Sequence, residues 1–266
     1  REGMLMNIEN PAGLTALDSC KLFAEASAFV KNERYRSDGS SSNAFTGNFS
    51  AFSLGGRIMR RWYMSAGVTP YSFVGYYFKS SQELEGSPGT FVTSTFSGTG
   101  GLSKAFLSQG FSLTKHLSVG MNLNFIFGNM TQNEIQSAMT VSREMSGRSF
   151  YADFGLQYHR PIARETFLTV GAIYGYKQRI SLKNTVTVTG SSTETPYNQK
   201  RVTQYLPQYI GIGSSLAHKK WTYALDYLFR QYGVLNSSDS RVKFRDSHEL
   251  RLGVCYFPNG FSSSSY

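Results

Sequence analysis

The stretch L-S-V-G-M-N-L-N-F-I-F-G, residues 117–128, places an apolar side chain at every second position. The apolar residues are Leu117, Val119, Met121, Leu123, Phe125 and Phe127. The residues between them are polar or Gly, with Ile126 as the single exception. A period of two predicts a β-strand with one apolar side and one polar side.

The same two-sided pattern recurs at residues 22–30 and 221–230. In the second of these stretches the odd positions read W-Y-L-Y-F, and the even positions read T-A-D-L-R. The chain is therefore organised around two-faced strands. The open question at this point is which of the two faces meets the interior.

The composition favours a membrane barrel over a soluble α/β protein. Of the 266 residues, 40% are hydrophobic, 15% aromatic and only 17% charged, and 26 are Gly. No run reaches the roughly 18 apolar residues of a spanning helix, so a membrane role would require strands. Barrel strands need only about 9–11 residues that alternate apolar-out and polar-in. We therefore expect an all-β fold, a transmembrane antiparallel β-barrel.

The formal net charge of +10 comes from Lys and Arg residues that stand singly at expected strand ends and loops. Charged strand ends at a membrane boundary are the simplest explanation. Contact with phosphates of membrane lipid or lipopolysaccharide is the alternative. Nucleic acid is not expected as a partner, because the sequence has no basic helix and no recognisable nucleic-acid-binding domain.

About ten strands follow a lead-in at residues 1–20, and residues 21–266 are expected to form the barrel. Short connections at 161–164 and 217–220 contrast with longer polar ones at 34–43, 187–198 and 236–240, as in membrane barrels. Residues 257–266 resemble the mouth of a loop, so more strands are expected beyond them. The predicted strands are 21–31, 45–56, 62–79, 90–108, 113–137, 148–161, 165–190, 200–217, 220–235 and 241–257.

Three places break the strand pattern. Pro70 and Pro207 lie inside predicted strands, and a proline cannot donate a hydrogen bond to the ladder. Each therefore predicts a bulge, a kink or a local gap in strand pairing. The glycines at 98, 100 and 101 predict a similar disturbance, because they offer no side chain to pack.

The sequence carries no catalytic or metal-binding motif. The four His residues fit no zinc spacing, and no nucleophile elbow, nucleotide loop or acidic metal loop is present. Cys20 and Cys255 are too few to define a disulfide framework. We expect no enzyme, no metal and no cofactor; an outer-membrane hydrolase with a triad drawn from separate strands is the one enzymatic alternative.

If the apolar faces look outward, a set of polar residues lines the lumen. Buried ions of both signs are costly unless they are paired. The set is therefore either a structural salt-bridge network or a polar surround for the head group of a ligand. Its members are Glu25, Asn122, Asn124, Asp153, Lys177, Asp226, Arg230, Glu249 and Arg251.

Three segments resemble the FadL family of outer-membrane transporters for hydrophobic compounds. N-P-A-G-L at residues 10–14 matches a segment that this family carries just before its first strand. Y-L-P-Q-Y-I-G-I-G at 205–213, followed by W-T-Y-A-L-D-Y at 221–227, is similar to a late proline strand leading into an aromatic–Asp strand. F-R-D-S-H-E-L-R-L-G-V-C-Y at 244–256 is similar to the next strand of the family.

The resemblance implies a 14-stranded barrel in the outer membrane of a Gram-negative bacterium. Its N-terminal segment, with Asn10, Pro11, Ala12, Gly13 and Leu14, would plug the lumen and hold ligand against the wall. Ligand would leave sideways through a gap at a kinked early strand, here near Pro70, Ser72 and Gly75. Two departures are a short lead-in and about four strands that are missing at the end.

Two functional hypotheses follow from this resemblance. The first is a channel that passes hydrophobic or amphipathic small molecules across the outer membrane. The second is a non-transporting accessory barrel, a subunit of a larger outer-membrane assembly or secretion complex with other outer-membrane proteins as its partners.

Overall fold

A computed structural model describes residues 9–17, 22–37, 40–83, 86–137, 139–190, 194–198, 201–235 and 243–258. All thirteen strands in these ranges belong to one antiparallel sheet. A short 3₁₀ helix, Pro11–Ala16, precedes them. The strands are β1 (Phe23–Ser37), β2 (Ser40–Met59), β3 (Trp62–Glu83), β4 (Phe91–Ser112), β5 (Leu117–Gln136), β6 (Met139–Ala163), β7 (Thr166–Gly175), β8 (Gln178–Thr189), β9 (Glu194–Asn198), β10 (Val202–Leu206), β11 (Tyr209–His218), β12 (Trp221–Arg230) and β13 (Ser247–Tyr256).

The thirteen strands occupy only ten positions across the sheet, because some successive strands are collinear. β6 pairs with β8 over residues 140–148 and with β7 over residues 153–163. β9 and β10 pair with β8, whereas β11 pairs with β7. β7 and β8 therefore share one position in the strand order, and β9 to β11 share the next. The resulting ten positions agree with the ten predicted strands.

The polar side of the strands faces the interior, as the alternation predicted. Asn122 and Asn124 are buried, whereas Phe125 and Phe127 are exposed and stack on each other with ring centroids 5.7 Å apart. Ile126, the exception to the pattern, has 0% exposure and packs with Leu102, Tyr151 and Ile180. The apolar residue on the polar face thus forms part of a small interior core.

Two connections predicted to be long loops are mostly strand. β1 continues to Ser37 and pairs with β2 up to Ser37↔Ser40, and β8 pairs with β9 from Thr185↔Asn198 onward. The prediction was wrong because polar residues on both faces give no alternation, while backbone pairing does not require an apolar face. Residues 191–193 and the predicted loop at 236–240 lie outside the described ranges.

Both prolines disturb pairing as expected, whereas the glycines do not. The register shifts between Pro70 and Ser72, and Pro207 separates β10 from β11. Pairing of β4 with β3 and with β5 is continuous through residues 98–101, although Gly100 has a φ of 105°. The glycine part of the prediction was wrong, since these residues adopt unusual backbone angles within an unbroken ladder.

Candidate functional site in the barrel interior

The N-P-A-G-L segment is fixed to the inner wall by its own side chains. Asn10 Oδ1 accepts a hydrogen bond of 3.0 Å from the Ala12 N–H, and Asn10 Nδ2 donates one of 3.1 Å to the Leu156 carbonyl oxygen. Thr15 Oγ1 donates a hydrogen bond of 2.7 Å to Ser118 Oγ. Pro11, Ala12 and Leu14 are buried. The segment therefore packs as an interior element against β5 and β6.

A row of glycines on β4, β5 and β6 gives this segment its seat. Gly110 pairs with Gly120, and Gly120 pairs with Gly155. A Cβ at Gly110 would lie 2.8 Å from the Pro11 carbonyl oxygen, and a Cβ at Gly120 or Gly155 would overlap residues 10–12. We call these three residues the glycine groove. Because they lack side chains, the segment approaches the wall backbone directly.

The carboxylate of Asp153 on β6 is buried in the interior and held by two side-chain amides. It accepts hydrogen bonds of 2.6 Å from Asn122 Nδ2 and 2.7 Å from Asn124 Nδ2. Asn122 and Asp153 are direct cross-strand partners, which places their side chains on one face. Two fixed donors hold the carboxylate in one orientation.

A second polar group lies across β12 and β13 and is more open. Glu249 Oε2 accepts from Arg230 Nη1 at 3.1 Å, and Glu249 Oε1 accepts from Arg251 Nε at 2.7 Å. Arg251 Nη1 also lies 3.5 Å from Glu9 Oε2, so the network reaches the residue just before the N-P-A-G-L segment. Asp226 pairs with Arg251 in the ladder, and Gly213 opposite leaves room for its carboxylate.

Two cavities adjoin these groups. A cavity of about 290 Å³ lies between Glu9, Asn10 and strands β7, β11, β12 and β13, and its lining includes Asp226, Glu249 and Arg251. A cavity of about 180 Å³ lies beside Asp153 and Arg230. Glu9, Ile173 and Leu228 line both. The interior thus offers apolar walls bordered by charges of both signs.

The other lumen candidates lie apart from these cavities. Glu25 pairs with Ser53, which is buried, so the two side chains share the interior face. Lys177 lies between β7 and β8 and donates to the Val234 carbonyl oxygen at 3.4 Å. Its Nζ also lies 4.6 Å from the Tyr205 ring centroid, and it lines neither cavity.

Sequence reasoning missed Lys104 and five tyrosines that line the smaller cavity. The tyrosines were not among the lumen candidates, because the candidates were chosen from charged residues and Asn. Lys104 offered a signal, as the only charged residue in an otherwise uncharged strand. The tyrosines are Tyr71, Tyr151, Tyr176, Tyr209 and Tyr232.

The side-gap candidates lie where β3 leaves β2. The β2–β3 ladder reaches Phe52↔Val68 and is not continued beyond it in the described residues, although β3 runs on to Glu83. Pro70 follows two residues later, and Ser72 Oγ accepts a hydrogen bond of 3.2 Å from the Leu102 N–H of β4. Gly75 lies on the same portion of β3, which is paired only with β4.

Other kinds of site find little support in the described ranges. They contain no group of three His, Cys, Asp or Glu residues arranged to hold a metal ion. No helix among them is long and apolar enough to cross a membrane. Cys255 is an exposed free thiol, and Cys20 lies outside the described residues.

A model of the BamG family matches residues 2–266, nearly the whole chain. The chain belongs to the BamG family. A comparison with curated protein sequences gives no match.

Solved structures with the same fold are hydrocarbon transporters and channels. The toluene transporter TbuX of Ralstonia pickettii is 14% identical with a TM-score of 0.56, covering 94% of this chain and 76% of TbuX. The monoaromatic hydrocarbon channel CymD is 15% identical with a TM-score of 0.55, covering 96% and 75%. The toluene transporter TodX of P. putida is 13% identical with a TM-score of 0.56, covering 94% and 74%.

At such low identity these structures establish the fold. This member of the BamG family shares the all-β barrel fold of these structures, as the N-P-A-G-L and proline–Asp segments predicted. The three structures are named as two toluene transporters and a monoaromatic hydrocarbon channel.

Proposed function

We propose that the protein lies in the bacterial outer membrane and passes small amphipathic or hydrophobic molecules through its interior. The observation that carries this proposal is the pair of adjoining cavities. Ile173 and Leu228 supply apolar surface to both, while Arg230 and Glu249 supply charges at their margins. Apolar burial stabilises a bound molecule by about 25 cal/mol per Å², and a few polar groups fix its orientation.

The N-P-A-G-L segment takes the part of a plug in this proposal. Residues 9 and 10 line the larger cavity, so a ligand there lies between the segment and the wall. The portion of β3 near Pro70, Ser72 and Gly75 supplies a sideways exit, because it is paired with β4 but lacks backbone partners on its β2 side in the described residues. The fold shared with TbuX, CymD and TodX, which are named as transporters or a channel, supports the same role.

Substitution at the side gap tests the exit. Gly75→Trp would fill the space next to Phe73, whose ring must move to admit a new side chain. We expect uptake of toluene and of p-cresol by cells or proteoliposomes to fall several-fold. Gly190→Trp is the matched control, since nothing lies within 4 Å of a Cβ there. Equal uptake by both variants and the parent protein, all correctly folded, would refute the exit.

A second candidate is an accessory barrel in an outer-membrane protein complex. Membership of the BamG family supports a hetero-complex. The interior also supports it, because Arg230, Glu249, Arg251 and Glu9 are paired with one another and Asp153 is held by two amides. Paired charges of this kind stabilise a filled lumen and do not require a ligand.

Extraction in mild detergent distinguishes the two candidates. If the barrel carries small amphipathic molecules and no stoichiometric protein, as native mass spectrometry would record, the channel is favoured. Recovery at a fixed ratio with other membrane proteins favours the accessory subunit. In that case the Gly75→Trp variant should retain its protein partners, and its uptake of small molecules should equal that of the parent protein.

A further inference from the structure

The connections at one end of the barrel are short and basic. β2 joins β3, β4 joins β5, β6 joins β7 and β11 joins β12 through two to four residues, and antiparallel pairing places these four connections at the same end. Each connection carries at least one cation. The cations are Arg60 and Arg61, Lys115, Arg164, and Lys219 and Lys220. We call these six residues the basic rim.

No ion pair within the described part of the chain neutralises the charge of the rim. Glu165 is the only acidic residue in the four connections. Among the described residues, the ion pairs involve Glu9, Arg230, Glu249 and Arg251, and none includes a member of the rim. All six rim residues are exposed. The rim is therefore a strongly positive surface that is free to contact an anionic partner.

The opposite strand ends differ in character. There cations stand near acids, as with Lys79 and Glu83 on β3, or Arg143 and Glu144 on β6. Among the described residues, the clustering of cations away from acids is thus found at the end with the short connections, and it does not follow from the net charge of +10 alone.

Aromatic residues lie directly beside the rim. Trp62 follows Arg61 and stacks on Phe111 with ring centroids 6.0 Å apart, and Trp221 follows Lys220 and meets Tyr256 at 4.7 Å. Tyr and Trp next to the end of a barrel strand mark the level of the lipid head groups. Since the connections are too short to extend far beyond that level, the rim cations lie within reach of lipid phosphates.

We propose that the basic rim binds anionic glycerophospholipids in the leaflet at this end of the barrel. Short connections mark the periplasmic end of such barrels, and that end faces the phospholipid leaflet. Basic groups near a membrane surface attract anionic lipid additively. The distribution of the cations over four separate connections fits an annulus of lipids better than one compact protein partner.

Lipid retention in native mass spectrometry tests this proposal. The full chain is reconstituted in vesicles of equal phosphatidylglycerol and phosphatidylcholine and then released in mild detergent. We expect phosphatidylglycerol to be enriched on the parent protein. Replacing Arg60, Arg61, Lys219 and Lys220 with Gln should reduce that enrichment about tenfold or more. Lys219→Arg with Lys220→Arg should retain it, which separates charge from folding.

The matched control removes the same charge elsewhere. Replacing Lys79, Arg143, Arg148 and Lys183 with Gln alters exposed cations away from the rim, and we expect phosphatidylglycerol enrichment to persist. Equal loss of phosphatidylglycerol in both quadruple variants, or equal retention of the two lipids by the parent protein, would each overturn the proposal. None of these outcomes depends on whether the barrel transports a ligand.

Discussion

The walls formed by β4 to β6 and by β11 to β13 hold polar groups in opposite ways. On the first wall Asp153 is 3% exposed, is held by two amides, and lies on the strand that also carries Gly155 of the glycine groove. On the second wall Glu249 also accepts two side-chain hydrogen bonds, but its side chain is 36% exposed. The two carboxylates therefore accept similar hydrogen bonds, but Asp153 lies in a packed region whereas Glu249 lines a cavity.

This difference shows that the position of the N-terminal segment determines which wall has protein packed against its inner face. Where the glycine groove admits residues 10–14, the interior fills with protein. Beside β12 and β13, where only Glu9 and Asn10 of the described N-terminal residues line the cavity, charges and apolar residues border open volume. Ligand chemistry is thus expected on the β11–β13 side, and structural rigidity on the β4–β6 side.

Gly120→Val should have the largest effect on this contrast. The new side chain would overlap Pro11 and Ala12, so the N-terminal segment should be displaced or the wall strained, at a cost of about 1–3 kcal/mol. Hydrogen exchange of the Ala12 amide and proteolysis of the segment would both accelerate. Gly47→Val is the control, because a Cβ there meets only ordinary contacts. If the amide stays protected, the glycine groove does not govern the seating of the segment.

Asp153→Ala should destabilise the packed wall by about 1–3 kcal/mol, because two buried amide donors would lose their acceptor. The midpoint of unfolding in urea with the barrel in detergent micelles measures the change. Asp153→Asn keeps the shape of the side chain and should lose less. A change no larger than that of the exposed Glu249 would show that burial does not separate the two walls.

Asn10→Ala should cost about 1 kcal/mol, as expected for loss of a capping side chain. The Ala12 N–H would lose its acceptor and the Leu156 carbonyl oxygen its donor. Asn10→Asp retains the acceptor and should recover part of the loss. We expect the effect in Ala12 exchange rates before it appears in global unfolding, and uniform exchange across the three proteins would contradict the cap.

Glu249→Gln should have the smallest effect on stability, and that effect should weaken as salt is added, as for other solvent-screened ion pairs. Its effect on ligand retention should be larger if the cavity is used. A loss of stability equal to that of Asp153→Ala would show that both carboxylates contribute equally to stability. The proposed difference between the two walls would then be wrong.

Much of this architecture was predictable from local sequence. The alternation at 117–128 and 221–230 predicted the strands, and the expectation of a membrane barrel placed their polar faces inside. The N-P-A-G-L and proline–Asp segments indicated a FadL-like fold. The hairpin at 34–43 was missed, because strands with two polar faces carry no periodic signal. Lys177 was assigned to the lumen by spacing, but the break between β7 and β8 removes it from the alternation.

The sequence by itself determined that the chain forms two-faced strands, since a period of two is a local property of the backbone. Only the tertiary structure decided that Gly110, Gly120 and Gly155 form one groove, that Arg230, Glu249 and Arg251 meet Glu9, and that the cations gather at one end. Each of these depends on strand register. Register is set by pairing between distant segments, and no single segment encodes it.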